Sequence, residues 1–274
     1  MHFMSEVWPD LWRAMVLGIV EGLTEFLPIS STGHLIVVSD LIGFEGSLGG
    51  TFEIFIQLGA IVAVVVFYAR DLWSQAQLVR TDRSVQRFWL HLLVAFLPAA
   101  LVGILVHDWI KEVLFSPIVV AVMLIIGGLV FLLIERRDHS QGVSRLYDVN
   151  TRQAFGIGVA QVVALIPGTS RSGASIIGGL LAGLNRRAAT EFSFYLAIPT
   201  LGSATVYDLL KNLDQVDPSD ALNLIVGTVT SFVVALLSIR WLLGYIATHD
   251  YRIFGWYRIG IGVVVVLWWV LKGG

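Results

Sequence analysis

The segment "PIVVAVMLIIGGLVFLLI" (117–134) carries no charge, and the stretches 54–69, 88–106, 222–243 and 254–271 come close to it. A helix needs about 20 apolar residues to cross a bilayer. Several such runs in one chain make lipid the expected solvent. The charge content agrees: 14% of residues are charged, against roughly 25% in a soluble domain, and the mean hydropathy is +0.80. Trp and Tyr crowd the run ends (Trp8, Trp12, Tyr68, Trp73, Trp89, Trp109, Trp241, Tyr245, Trp256, Tyr257), as interfacial belts do. A single all-α polytopic membrane domain over 1–274 is expected. A soluble all-α protein with a large core is the weaker alternative. The net charge of −2 carries no information about nucleic acid, and no such partner is expected. Without cysteine there is no disulfide, thiolate chemistry or Cys-ligated metal. The opening "MHFMSEVWPDLWRAM" lacks a basic region and a small-residue cleavage site, so no signal peptide is expected.

The chain matches itself at a shift of about 140 positions. "TFEIFIQLGA" (51–60) falls on "EFSFYLAIPT" (191–200), and "LLVAFL" (92–97) on "FVVALL" (232–237). With one inserted residue, "GIVEGLTEFLPISSTGHLI" (18–36) falls on "GVAQVVALIPGTSRSGASI" (158–176). That alignment pairs Gly18 with Gly158, Glu21 with Gln161, Pro28 with Pro167 and Gly33 with Gly173. Three ordered matches at nearly one offset predict two homologous repeats, about 11–134 and 154–271.

Each repeat opens with two short apolar pieces broken by Pro, Ser and Gly: 11–27 then 34–43, and 154–166 then 174–184. Three full-length runs follow, at 52–69, 88–106 and 117–134, then at 192–210, 222–243 and 254–271. The short pieces read as re-entrant helical hairpins. Irregular backbone at membrane depth is tolerated inside protein or facing water. With loops 70–87, 135–154, 185–190 and 240–258 on the cytoplasmic side, that side holds 13 of the 18 basic residues: Arg70, Arg80, Arg83, Arg87, Arg136, Arg137, Arg145, Arg152, Arg186, Arg187, Arg240, Arg252 and Arg258. The other side receives Arg13, Lys111, Lys211 and Lys272, and Arg171 stays in the second break. This satisfies the positive-inside rule. Three spans per repeat make the repeats inverted, so the hairpins enter from opposite sides. Paired, interrupted segments in inverted repeats point to a site near mid-membrane.

The tips carry the chemistry. Glu21 and Glu25 lie i, i+4 on one helix face. A charge at the centre of a membrane helix costs about 2.5–3.5 kcal/mol on insertion scales, so these two should meet a cation, keep a proton or face a wet cavity, unless they reach the interface. Ser30, Ser31, Thr32 and His34 follow Pro28. They supply a nucleophilic hydroxyl with a nearby base; equally, the hydroxyls can cap a helix and His34 can be a packing partner. Spacing alone does not choose among the three hydroxyls. The second tip, "PGTSRSGAS" (167–175), contains Gly168, Thr169, Ser170, Arg171, Ser172, Gly173 and Ser175. Glycines let backbone N–H groups approach an anion, a helix beginning near Ser172 adds its positive end, and Arg171 offers a fork of donors suited to phosphate. Arg171 could instead simply lock onto Glu21 or Glu25. Together the tips suit a phosphorylated lipid, with a divalent cation bridging Glu21 or Glu25 to phosphate. Glu53 and Gln57, again i, i+4, could line the cavity mouth. His91 reads as interfacial, Glu191 as a neighbour of Arg186 and Arg187, and Gly127, Gly128, Gly260 and Gly262 as helix-packing positions.

"EGLTEFLPISSTGH" and "PGTSRSGAS", together with "TFEIFIQLGAIVAVV", closely resemble the BacA-type undecaprenyl pyrophosphate phosphatase family across essentially the whole chain. The resemblance implies hydrolysis of undecaprenyl diphosphate to the monophosphate in the bacterial inner membrane, recycling the lipid carrier for wall polymers. It further implies a site facing the periplasm, dependence on a divalent metal (Mg or Ca) and bacitracin resistance. By motif position it assigns Glu21 and Glu25 as the glutamate pair and metal ligands, Ser31 and His34 as the serine and histidine, and Ser170, Arg171 and Ser172 as the phosphate loop. Ser30, Thr32, Gly168, Thr169, Gly173 and Ser175 are expected around the substrate. Ser175 departs from the family's usual Thr, keeping the hydroxyl and losing the methyl. On this reading Ser31 attacks the terminal phosphorus with His34 as base or later acid; alternatively Glu or His activates water directly. A lipid flippase and a sequestering protein are the other classes open. Monomer and homodimer are equally open.

Overall fold

The computed structural model describes residues 2–44, 51–114, 116–212 and 220–271. The chain forms eleven α-helices among the described residues: α1 His2–Thr24, α2 Ser31–Leu41, α3 Thr51–Phe67, α4 Ala69–Leu78, α5 Arg83–Val113, α6 Pro117–Ile134, α7 Thr151–Val162, α8 Arg171–Leu181, α9 Arg186–Asn212, α10 Ala221–Ile246 and α11 Arg252–Leu271. Their starts follow local chemistry. Asp82 accepts the Ser84 N–H, Ser116 accepts the Val119 N–H ahead of Pro117, and Asn150 with Gln153 forms a reciprocal capping box.

Four helices are long and apolar enough to cross a membrane: α5 (over Arg83–Val106), α6, α10 and α11. A fifth span forms if α3 and α4, bent by 64° at Tyr68, count as one. Their outward faces carry exposed Leu101, Ile104, Leu105, Val229, Leu237 and Leu267, as lipid contact requires. The run 192–210 differs from expectation. It belongs to the 27-residue α9, which has the length of a span but not the apolarity. Protein surrounds its first half: Ala188, Ala189, Thr190 and every residue from Phe192 to Ala197 are buried. A helix wrapped by other helices can carry Thr190 and Ser193 inward, so its hydropathy understates its depth.

Both broken segments fold as helix–turn–helix hairpins. At ~1.5 Å per residue, α7 and α8, of 12 and 11 residues, reach only part-way across ~30 Å of hydrocarbon. The second hairpin begins and ends at one place: Gln153 Nε2 donates to Ala182 O at 2.9 Å, and Val143 pairs with the 183–185 backbone. In the first, Leu35 and Val38 of α2, with Ile42 just after it, return against a cluster containing Ala14, Leu17 and Phe52. Helix α1 packs on α10 and α7 on α5, while α6 pairs with α11 and α3 with α9. Small residues allow this closeness. A Cβ on Gly18 or Gly22 would overlap the α10 backbone, and one on Gly128 would overlap Gly255 O.

The loops assigned to the basic side meet at one end. The buried Glu135 carboxylate accepts from Arg186 and from the Tyr251 N–H, at 3.0 Å each, and Arg252 Nη2 donates to Glu135 O at 3.2 Å. Gln75 donates to Tyr147 and Tyr195, and His91 meets Thr151 at 3.2 Å. His91 is buried within the protein beside the start of α7. Arg187 pairs with Glu191 at 2.8 Å, as expected. Tyr68 lies buried against Tyr195 and does not join the aromatic belt, whereas Trp73, Trp109, Trp241 and Trp256 are exposed. Gly260 faces open space and packs on nothing. The side chains of Trp8 and Lys111, and residue Lys272, lie outside the described residues.

Candidate active site

The two hairpin tips meet inside the protein. Ser30 and Ser170, 140 positions apart as the predicted repeat aligns them, are the only non-glycine residues with positive φ among the described residues, both at 73°. L-residues avoid this region, so each tip holds a serine where the chain must turn sharply into a helix. The turn places Ser31 at the start of α2 and Arg171 at the start of α8. Two helix N-termini, each with unpaired N–H groups, therefore begin at the junction. Gly168 has φ +90, and a Cβ there would overlap the Val120 backbone, so this position requires glycine.

Glu25 joins the tips. Its Oε2 accepts the Ser31 hydroxyl at 2.6 Å, and its Oε1 lies 3.2 Å from Arg171 Nη2. Arg171 also donates from Nη1 to Ser193 O at 3.0 Å, and its guanidinium sits 5.7 Å from the centre of the Phe26 ring. Arg171 Nε is buried without a partner, as is the Thr169 hydroxyl. Buried polar atoms are rarely left this way, and both belong to the loop predicted to hold phosphate. Glu21, 2% exposed, lies one turn before Glu25 and within electrostatic reach of Glu25, Glu53 and Arg171.

The remaining predicted residues divide. Ser170 Oγ accepts the Gly173 N–H and meets Ser172 Oγ, which donates across the junction to Leu27 O at 3.0 Å. Ser175 donates back to Arg171 O and meets Ser193 Oγ at 2.7 Å. These three hydroxyls are engaged in building the loop. Ser30 makes no side-chain cap, and Thr32 is half-buried in the first turn of α2. His34 does not meet Ser31. Its Nδ1–H donates to Ser30 O at 2.7 Å, which leaves Nε2 to accept the Tyr257 hydroxyl at 2.8 Å. Gln161, the repeat partner of Glu21, is buried, with its amide nitrogen on Thr200. Gln57 accepts from Thr205 at 2.9 Å, while Glu53 is exposed on α3.

Two corrections concern α11. Arg258, counted above among cytoplasmic basic residues, is 0% exposed and lies beneath both tips. It donates to Pro28 O, Met123 O, Leu124 O, Gly168 O and Thr169 O. The side predicted to be basic therefore keeps 12 of the 18 basic residues. Tyr257 is the partner of His34, not only a belt residue. A signal was present: Arg258 stands inside the run 254–271, where a charge must find partners. Gly127 is also not simply a packing position. It leaves room for the Arg258 guanidinium, which a Cβ would strike.

As a metal site, the donors are few. Among the described residues no three His, Asp or Glu side chains gather into a cation cage. The Glu21–Glu25 pair suits a hard cation that draws its other ligands from phosphate and water, as Mg²⁺ commonly does.

Residues 14–264 match the family described as bacitracin resistance protein BacA. The undecaprenyl-diphosphatase of Nitrosospira multiformis is 52% identical over 260 residues, 95% of either chain. Undecaprenyl-diphosphatase 1 of Stutzerimonas stutzeri is 50% identical over 265 residues, 96% of each. The undecaprenyl-diphosphatase of Laribacter hongkongensis is 49% identical over 264 residues, 96% of this chain and 97% of its own. With its hairpin tips joined through Glu25, this chain belongs to the BacA family.

Proposed function

We propose that this membrane protein hydrolyses undecaprenyl diphosphate to undecaprenyl phosphate and inorganic phosphate at the junction of its two hairpin tips. The observation that carries the reading is the Ser31–Glu25–Arg171 chain, which links a nucleophile, a base and a phosphate ligand across the tips. The activity printed for relatives near 50% identity over almost the full chain supports the same substrate. Bacitracin resistance follows from the family.

The diphosphate enters with its tail among the helices. Arg171 Nε, the Thr169 hydroxyl and the free N–H groups of the two helix starts bind phosphate oxygens and stabilise charge on the transferring group. Ser31 Oγ attacks the terminal phosphorus while its proton passes to Glu25. The Oγ–P bond forms as the bond to undecaprenyl phosphate breaks. Water then attacks phospho-Ser31 and releases inorganic phosphate, and the proton held on Glu25 returns to Oγ to restore the hydroxyl. His34 serves this second step, with Tyr257 holding its Nε2 until water arrives. Glu21 and Glu25 would hold a divalent cation, Mg or Ca, which when bound would neutralise diphosphate charge.

The reading extends to topology. The chain comprises two inverted repeats, 11–134 and 154–271, in a bacterial inner membrane with the site open to the periplasm. The paired positive-φ serines, the reciprocal packing of α1 on α10 and α7 on α5, and the gathering of basic loops at one end support it. Flipping alone would need Arg171 but not a serine held on a carboxylate.

Phosphate release from undecaprenyl diphosphate by the purified protein in detergent tests the activity. Release with Mg or Ca that stops on adding EDTA, with phosphoserine trapped at residue 31 by rapid quench, is expected. Release without any phosphoserine would replace Ser31 by a directly activated water. No release from folded, lipid-binding protein would reject the hydrolase.

A further inference from the structure

We propose that Arg258 is a positioning residue for the phosphoryl transfer, holding the tip that carries Ser31 in register with the tip that carries Arg171. The inference rests on the tips being the active site.

The contacts are specific. One guanidinium donates to five backbone carbonyls on three separate segments: Nε to Leu124 O at 3.4 Å, Nη1 to Pro28 O at 3.1 Å, and Nη2 to Met123 O, Gly168 O and Thr169 O at 3.2, 3.2 and 2.8 Å. Pro28 precedes Ser31 by three residues, and Gly168 precedes Arg171 by three. The clamp thus grips both turns at the same distance from their functional side chains. It ties them to α6, whose Gly127 makes space for the guanidinium.

The chemistry explains the choice of residue. Where a helix breaks inside a membrane, carbonyls lose their partners, and lipid offers none. Arginine has five N–H donors in a fixed plane and no acceptor, so one side chain can satisfy carbonyls from both breaks. Lysine has three donors around a point. None of the five partners is a carboxylate, so the clamp does not draw on Glu21 or Glu25. All its nitrogens are engaged and the residue is fully buried. Arg258 therefore acts through the tips and not on the lipid. A displacement of about 1 Å between reacting groups can cost on the order of 100-fold in rate, and that geometry is what this clamp controls.

The test compares Arg258→Gln, Arg258→Lys, Gly127→Ala and Gly260→Ala in the full-length protein in detergent, with Ser31→Ala and Arg171→Ala alongside. Sites are counted by equilibrium binding of a polyprenyl methylenediphosphonate, so that kcat refers to folded, lipid-binding protein. Arg258→Gln should lower kcat about 100-fold while KM moves less than about threefold. Arg258→Lys should recover part of the loss. Gly127→Ala keeps the arginine but pushes its guanidinium aside, and should also lower kcat. Gly260→Ala, on the helix of Arg258 with open space around it, should change nothing. Should Arg258→Gln fail to fold, Gly127→Ala decides the matter. An unchanged kcat per site in both would overturn the proposal, as would a rise in KM at constant kcat. Full activity in Ser31→Ala and Arg171→Ala would instead remove the site reading beneath it.

Discussion

The two hairpin tips share a backbone and divide the work. Each turns at a serine with φ 73° and opens a helix of 11 residues. In the second tip, three serine hydroxyls brace the structure: Ser170 caps Gly173, Ser172 reaches across to Leu27 O, and Ser175 holds Arg171 O. In the first tip, Ser30 leaves its helix uncapped, and the Ser31 hydroxyl is held by a carboxylate. One tip is a braced cradle and the other presents a polarised hydroxyl. The acidic residue that opens the first motif, Glu21, is matched in the second by the neutral Gln161. Two hairpins with the same turn thus present different side chains at their junction.

Removing hydroxyls and charges one tip at a time tests this division. Ser31→Ala should have the largest effect, lowering kcat at least about 10⁴-fold and abolishing any trapped phosphoserine. A loss below tenfold would mean that the first tip is not the reactive one. Arg171→Ala should follow, at about 10³-fold, because it removes charge stabilisation from the transferring phosphoryl group. Arg171→Lys should restore only part of that activity, lacking the fork of donors. Glu25→Gln keeps a partner for Ser31 but loses the base, so single-turnover phosphorylation should slow by about 10²-fold. Unslowed phosphorylation would hand the base role to His34. Ser170→Ala should have the smallest effect. It costs about 1 kcal/mol of stability through the lost cap, seen as a modest drop in melting temperature, with kcat within a few-fold of the parent. The contrast between Ser31→Ala and Ser170→Ala is the sharpest measure of the asymmetry, because the same atom is deleted from two tips of similar shape.

Much of this was legible in the chain. Hydropathy marked the spans 88–106, 117–134, 222–243 and 254–271, because a membrane-facing helix must be apolar along its own length. The Pro-Ser-Gly breaks marked the hairpins, because those residues interrupt a helix locally. Glu25 and Ser31 of the first motif and Arg171 of the second do come together. The pairing of Ser31 was less accessible. Sequence pointed to His34 as the base for Ser31, whereas in the fold the Ser31 hydroxyl meets Glu25 and the imidazole meets Ser30 O and Tyr257.

What the sequence by itself determined was a helical membrane protein with two broken hairpins and an arginine-bearing polar tip, since these follow from the solvent each segment needs and from the limits of individual residues. The tertiary structure decided which groups meet. It buried the first half of α9 despite its polarity, joined the basic loops through Glu135, and took Arg258 from an expected aqueous loop to a clamp under both tips. The reason is physical: an arginine beside Trp256 and Tyr257 resembles an interfacial anchor in any local window. Its burial depends on unpaired carbonyls at Pro28 and Gly168 and on the space left by Gly127, all far away along the chain.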